Sequence, residues 1–579
     1  MCANFVMLFP RPLRGDTAPK GLLLINVMKK CLVNAPSDAQ YVALSYCWGV
    51  RGNLKHTQSN STWLRTENSL TEDIIPATIY DAMSLVKAVG LKYLWVDALC
   101  IPQDNPMDQI QQMDLIYSQA DFTIVAASGS DAHVGLPGIR SGSRGIRQRL
   151  LKLSTKTIIN AIDSPQYPGI RGSVWAQRAW TLQERLLSRK KLFFTEKQVY
   201  WHCQKATWLE EFVLEGVSNQ EFQRRQGGGP DDISLMPFCG YKEYSSIAAA
   251  YSSRKMTCWT DIQVAFAGII RAISNQQCFQ TGFVWGLPAG RFFWSLSWEM
   301  DSSAKQKSLV TVALTNGATC SLACPSWSWM GWMGDHCQSS AVGFERGQEN
   351  LQLRSEITFY VESTTGQLLK IDHLISRPGR VEIPAEWNNS NEYAISTTRK
   401  KWAGSPKEIA GIVDHPKPFD MALSSRLHFW SSVARLAIYR LTSEDGSICF
   451  LTIGSTNSVI KYRIRITVTM ASALDWRPCI SGWPDTRRPI AQTEHEPWFC
   501  ERRPKWEDQS RFMRIKGKRE VADSDFVVIG RSVERPGSYL TTLIIQPQKD
   551  VSFRIGCAWI SEEDWINIKN RAWKRVLII

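Results

Sequence analysis

Three separated segments constrain this chain more than any other feature. Each is a short apolar run that stops abruptly at polar or aromatic residues: YVALSYCWG (Tyr41 to Gly49), YLWVDALCIPQD (Tyr93 to Asp104) and WAQRAWTLQERLL (Trp175 to Leu187). Near-continuous apolar runs of this length suit strands covered on both faces, and a longer run with helical spacing suits a crossover helix. In such sheets ligands sit beyond the carboxyl ends of the strands, so the residues that end the runs are the first candidates for a site.

The text between them alternates in the same way. Candidate strands are Leu22 to Val27, Tyr41 to Tyr46, Tyr93 to Val96, Phe122 to Ala127 and Lys191 to Thr195. Ile79, Ala82, Met83, Val86 and Val89 recur at helical spacing, entered through Pro76 and closed by Gly90. Second and third helices are expected over about Pro106 to Ala120 and about Ala176 to Leu187. Strands alternating with helices predict an α/β domain with a parallel sheet. Arg140 to Tyr167 reads as a loop with one strand, Leu151 to Ala161, and the polar, Gly-rich Gln223 to Asp232 is the best domain boundary.

The expected organisation is an irregular lead-in over 1–20, the α/β domain over 21–215, a linker over 216–232, a Trp-rich α+β middle over 233–350 and a β-rich region over 351–579. A chain of 579 residues is too long for one core. Strand-like pieces Ile357 to Val361, Ile448 to Ile453 and Phe526 to Ile529 carry the β assignment. The 24 tryptophans are read first as core packing.

Composition excludes some classes. No apolar run approaches the length of a membrane span, and MCANFVMLFPRPLRG lacks the order of a signal peptide, so the expectation is a soluble, cytoplasmic chain. Fifteen scattered cysteines fit reduced thiols better than a disulfide framework. Cys203 beside His202, and Cys320 with Cys324, lack the recurring pairs of a zinc site, so no metal is expected. The formal charge of +14 is spread along the chain, which reads as a solvated surface rather than a nucleic-acid interface.

Candidate site residues follow from the segment ends. Ser45, Tyr46 and Trp48 end one strand: the hydroxyl could meet a sugar or phosphate oxygen and Trp48 a flat ring, or both aromatics could pack on the sheet edge. No Gly-x-Ser-x-Gly elbow surrounds Ser45 to make it a nucleophile. Asp97 either caps the turn into CIPQD or faces a ligand, and Gln103 and Asp104 share that choice. In the third segment Trp175, Arg178, Ala179, Leu182 and Leu186 form a helical stripe, and Glu184 shares a face with Trp180 four residues earlier. A carboxyl beside a Trp is desolvated and its pKa rises, which suits proton work; a salt bridge to Arg178, Arg185 or Arg189 is the plain alternative.

These segments, with IPATIYDAMSLVKAVG, MDLIYSQADFTIVAASGSDAHVGLPGIR and YWHC (Tyr200 to Cys203), resemble the HET (heterokaryon incompatibility) domain of fungal allorecognition and cell-death proteins. The resemblance runs from Gly21 to Glu211. That domain is similar to Toll/interleukin-receptor-like (TIR) domains, which implies a flavodoxin-like parallel sheet. RAWTLQERL resembles their Trp-Cys-Leu-x-Glu-Leu helix at Trp180, Leu182 and Glu184, with Thr181 in place of Cys and Leu186 one place late. In enzymatic TIR domains that Glu is the catalytic acid of NAD glycohydrolysis.

The resemblance implies an effector of non-self recognition and programmed cell death that self-associates and answers to an upstream partner the sequence does not name. Glu184 is the expected catalytic residue, with Ser45, Tyr46, Trp48, Asp97, Gln103, Arg178 and Trp180 around NAD as substrate and no bound cofactor. The alternative is a non-catalytic signalling scaffold. No phosphate-cradling P-loop or Rossmann glycine fingerprint occurs.

Overall fold

The computed structural model describes residues 19–145, 149–152, 158–161, 170, 172–203, 207–210, 240–256, 261–274, 276 and 279–300, and beyond these mainly the strands and turns named below. The expected linker, 216–232, lies outside the described residues. The chain divides into two compact units, Met1–Gln277 and Cys278–Ile579.

The first unit is built on an eight-stranded mixed sheet. In chain order its strands are β1 (Leu23–Asn26), β2 (Cys31–Asn34), β3 (Tyr41–Ser45), β4 (Tyr93–Trp95), β5 (Phe122–Ala126), then β8 (Lys190–Phe194), β9 (Val199–Cys203) and β10 (Thr207–Leu209). A separate antiparallel hairpin of β6 (Arg149–Lys152) and β7 (Ile158–Ala161) stands where a single strand was expected. The spatial order is β10-β9-β8-β5-β3-β4-β1-β2. The middle of the sheet is parallel, β3 pairing β4 and β5, and β5 pairing β8. Antiparallel hairpins extend both edges.

Burial explains this order. Every residue of β3 and β5 is buried, as strands covered on both faces must be, and each fully buried Leu or Val contributes about 1.5–3 kcal/mol. Helix α1 (Ala77–Ala88) returns from β3 to β4, burying Ile79, Ala82, Met83 and Val86. Pro76 precedes it and Gly90, at φ +81°, ends it as the sequence predicts. The same helix buries Asp81, which accepts from the Leu136 amide at 2.8 Å and pairs with Arg140 at 3.1 Å, anchoring the loop after β5.

After β4 come α2 (Asp97–Cys100), α3 (Met107–Ile110) and α4 (Met113–Gln119); α5 (Val174–Gln177) and α6 (Ala179–Leu187) precede β8. The single helix expected over Pro106 to Ala120 is therefore two, as is that over Ala176 to Leu187. Two later helices, α7 (Tyr241–Ser252) and α8 (Ile262–Ser274), belong to this unit. Arg271 of α8 takes Asp114 in a two-pronged ion pair at 2.8 and 2.9 Å.

The chain crosses from one side of β3 to the other between β4 and β5. The carboxyl ends of β3 and β5 therefore flank a topological switch point, where α/β sheets leave a crevice.

The second unit is β-rich. Five strands, β11 (Leu423–Ser443), β12 (Ile515–Glu534), β13 (Gly537–Gln548), β14 (Val551–Ser561) and β15 (Ala572–Ile578), close a barrel-like ring. Neighbours are antiparallel except β14 and β15, which meet in parallel at Ser552 and Ile578; an odd number of strands requires one such seam. Trp298, Trp327, Trp329 and Trp332 are buried here, with the Arg554 guanidinium 3.7 Å from the Trp298 ring centre. Among the described residues, no helix is long and apolar enough to cross a membrane.

Candidate functional site

Ser45 closes β3 with its side chain buried, 1% exposed. Its hydroxyl accepts from the Trp175 indole N–H at 2.7 Å and donates to the Glu184 carboxylate. The indole occupies a lone pair and leaves the Ser45 proton directed at Glu184. Tyr117 of α4 donates its hydroxyl to the Leu44 carbonyl at 3.3 Å, and from there favours the ionised form of Glu184. Strand β3, helix α4, helix α5 and helix α6 thus converge on one carboxyl group, itself only 6% exposed.

The helix break makes this convergence. Arg178 is extended, at φ −85° and ψ 137°, and separates α5 from α6. The side chain of Ser173 caps α5 by accepting from the Ala176 amide at 3.1 Å. Thr181, at the start of α6, reaches back to the carbonyls of Trp175 at 2.6 Å and Arg178 at 2.8 Å. The expected stripe of Trp175, Arg178, Ala179, Leu182 and Leu186 on one continuous helix is corrected accordingly. Trp175 turns to the strand end and Trp180 packs half-buried against the main core, so Glu184 meets Trp175 through Ser45 rather than Trp180 along the helix.

The second carboxyl, Asp97, begins α2 where β4 ends. One oxygen accepts from the Ala98 amide at 2.7 Å and the other from the Trp48 indole at 2.8 Å. Tyr46 also favours the ionised form of Asp97. The N-cap of α2 is Val96, with no side-chain cap bond, so the capping expected of Asp97 reduces to the Ala98 amide, and Trp48 orients the other oxygen. Gln103 is a clamp: its amide donates to the Ile101 carbonyl at 2.9 Å and the Asp97 carbonyl at 3.2 Å. Asp104 accepts from the Gln58 amide at 2.5 Å. Trp48 is half-buried, with the Lys55 ammonium 5.0 Å from its ring centre. Gly49, at φ +77°, lets the chain leave β3 so tightly that a Cβ there would meet Asp131 at 2.2 Å.

Electrostatics set these groups apart. Burial pushes Glu184 up to about 7; the charge of Asp97 adds to the rise, while the Ser45 hydrogen bond, Arg178 and Tyr117 oppose it. Burial likewise pushes Asp97 up to about 6 against the pull of the Ala98 amide, Trp48 and Arg178. Arg178 acts on both carboxyls and donates to the Tyr46 carbonyl at 3.4 Å. A carboxyl held near 7 can release or accept a proton at neutral pH. Burial raises the neighbouring Cys47 thiol, so it is no thiolate nucleophile.

Of the residues the sequence singles out, Ser45, Tyr46, Trp48, Asp97, Arg178 and Glu184 come together, Gln103 supports the Asp97 turn, and Trp180 goes to the core. The sequence puts Trp175 in an apolar helical stripe and Tyr117 within the helix expected over Pro106 to Ala120, and assigns neither to the site. Their polar ends were the available signal, since a buried indole or phenol needs a partner.

Residues 41–184 match the family model of heterokaryon incompatibility protein (HET). The match begins with β3 and ends on Glu184, so it contains both carboxyls, Ser45, Trp175 and Arg178. A search of curated proteins and one of solved structures each gave no match.

Proposed function

We propose that this HET-domain chain is an effector of heterokaryon incompatibility and programmed cell death whose α/β domain hydrolyses NAD at the nicotinamide–ribose bond. The HET match points to the incompatibility role. The observation that carries the chemistry is Glu184: a buried carboxyl near 7, fixed by Ser45, at the switch point where such sheets bind ligands. The parallel strands lie in the order second, first, third, fourth along the chain, which supports the flavodoxin-like, TIR-like reading of the domain.

In this reaction the bond from ribose C1′ to the nicotinamide nitrogen breaks and its electron pair leaves with neutral nicotinamide. The sugar passes through an oxocarbenium-like state, as in glycoside hydrolysis. Ionised Glu184 stabilises the developing positive charge and a ribose hydroxyl. Water adds at C1′ and its proton passes to the carboxylate, giving ADP-ribose and one released proton. Trp48 offers an aromatic face and Arg178 a cation for the substrate's phosphates. The reaction needs no bound cofactor. We place the protein in the cytoplasm and expect self-association to activate it.

A second reading has its own observation. Glu184 is almost wholly covered and its hydrogen bonds are met within the domain, as in a structural network of a non-catalytic scaffold. Nicotinamide release by the full chain at high protein concentration decides between them. Release by wild type that disappears in Glu184→Gln and Glu184→Ala, with folding kept, supports hydrolysis; none at any concentration, or under forced oligomerisation, supports the scaffold.

A further inference from the structure

The HET match stops at Glu184, yet the hydrogen bonds that shape its surroundings reach well past that residue. Arg254, just beyond α7, is 7% exposed and donates to the Ala250 carbonyl at 3.2 Å. One terminal nitrogen donates to the Arg178 carbonyl at 3.1 Å and to the Thr181 hydroxyl at 3.0 Å. Lys255 adds two backbone bonds across the same break: its carbonyl accepts from the Ala179 amide at 2.9 Å, and its amide donates to the Gln177 carbonyl at 2.5 Å. Residues 254 and 255 therefore form a clip over the one extended residue between α5 and α6.

The proton inventory gives the clip a direction. Thr181 has one hydroxyl proton and two carbonyls within reach, those of Trp175 and Arg178. Arg254 supplies a donor to the Arg178 carbonyl and fills a lone pair on Thr181. That directs the Thr181 proton to the Trp175 carbonyl. Trp175 is held from its backbone, and its indole holds Ser45, whose proton holds Glu184. We propose that Arg254, from outside the matched stretch, is a positioning residue that sets the geometry of Glu184 through Thr181, Trp175 and Ser45. This inference rests on Glu184 being the working group, and it makes residues 240–277 part of the functional module rather than an appendage.

The test uses the full chain with Arg254→Met and Arg254→Lys, beside Ser45→Ala and the double variant Ser45→Ala with Arg254→Met. Two readouts are followed: the pH profile of nicotinamide release, and the pH dependence of thermal unfolding of the first unit between about pH 4 and 8. The charged and titratable groups acting on Glu184 are Asp97, Arg178, Tyr117, Tyr46 and Cys47, and none of them is substituted in these variants. Loss of a hydrogen bond to the ionised carboxylate raises its midpoint by about one pH unit. Arg254→Met is therefore expected to move both profiles upward by about that much and to lower kcat by about tenfold at little change in KM. Arg254→Lys, which keeps a donor, restores part of both, and the double variant shifts no further than Ser45→Ala alone.

A loss of stability that is the same at every pH, or shifts that add in the double variant, overturns the proposal. Absence of nicotinamide release by wild type sinks the hydrolase reading alone; the unfolding profile then decides the positioning role by itself.

Discussion

Two ionisable clusters around buried groups, one in each unit, are built on different plans. In the second unit His428 lies between Glu362, 3.0 Å from one ring nitrogen, and Arg575, 2.8 Å from the other, with Arg426 3.4 Å from Glu362. Opposite charges flank the ring, and Arg575 also lies 5.5 Å over Trp430. In the first unit Glu184 has no charged hydrogen-bond partner: the Ser45 hydroxyl donates to it, and Asp97 and Arg178 act on it only through their charges. Charges paired in place offset part of the cost of their own burial, whereas a buried acid bonded only to a serine hydroxyl is kept at a cost and reads as functional.

The largest expected effect follows from that cost. Glu184→Gln removes the charge and keeps the shape, and nicotinamide release should fall by at least about a hundredfold. Stability should move the other way. The folded pKa of Glu184 lies above its ordinary 4.5, so the stability it lends is complete below 4.5 and is lost as pH rises to about 7. At pH 8 the ionised group costs about 3 kcal/mol net of its hydrogen bonds. Unfolding of Glu184→Gln at pH 8 should thus occur at higher temperature than wild type, and the two should converge near pH 4. Identical curves would mean that the carboxyl is solvated and the contrast between the clusters is false.

The His428 cluster gives the opposite slope. Burial lowers the His428 pKa below 6.5, and Arg575 assists while Glu362 resists. A base lowered in the fold costs nothing above 6.5, and stability is lost as pH falls below it. Acidification from pH 7 towards 5 should therefore stabilise the first unit through Glu184 and Asp97 and weaken the second through His428. Hydrogen exchange resolved by unit would report the two trends, and parallel slopes would break the comparison. Glu362→Gln should sharpen it: losing the charge and one of the two acceptor oxygens between His428 and Arg426 costs about 1–3 kcal/mol and steepens the acid loss of the second unit only.

The sequence made the sheet legible because burial on both faces leaves a run of apolar residues that needs no distant partner to interpret. Strands expected at Tyr41, Tyr93, Phe122 and Lys191 form within a residue of those bounds, and Pro76 and Gly90 bracket α1. The helix breaks were not legible, since their causes are remote in sequence. Arg271 takes the Gln111 carbonyl at 2.7 Å where α3 ends, and Arg254 and Lys255 clip the chain at Arg178. Helical periodicity reads through such breaks because side chains on either side still alternate plausibly. Glu184, Ser45 and Asp97 were visible as endings of apolar runs. That Trp175 joins Ser45 to the helix break, and that Tyr117 bonds the Leu44 carbonyl beside the site, depends on contacts that spacing does not encode.

One substitution made twice separates structural tryptophans from positioning ones. Trp175 and Trp327 are both fully buried and each donates one indole hydrogen bond: Trp175 to the Ser45 hydroxyl at 2.7 Å, Trp327 to the Ser425 carbonyl at 2.8 Å. Replacing either by Phe removes a donor and leaves a small void, at about 1–3 kcal/mol each. At Trp327 the stranded acceptor is a carbonyl that does not titrate, so the loss should be the same at every pH. At Trp175 the stranded acceptor is Ser45, whose own proton is then free to turn from Glu184. The carboxylate loses a donor and climbs further above 7, so this loss should grow as pH rises from 6 to 8. Urea unfolding of the two variants at pH 6 and pH 8 measures the difference. A Trp175→Phe loss as flat in pH as that of Trp327→Phe would make Trp175 a packing residue and leave Ser45 to orient itself.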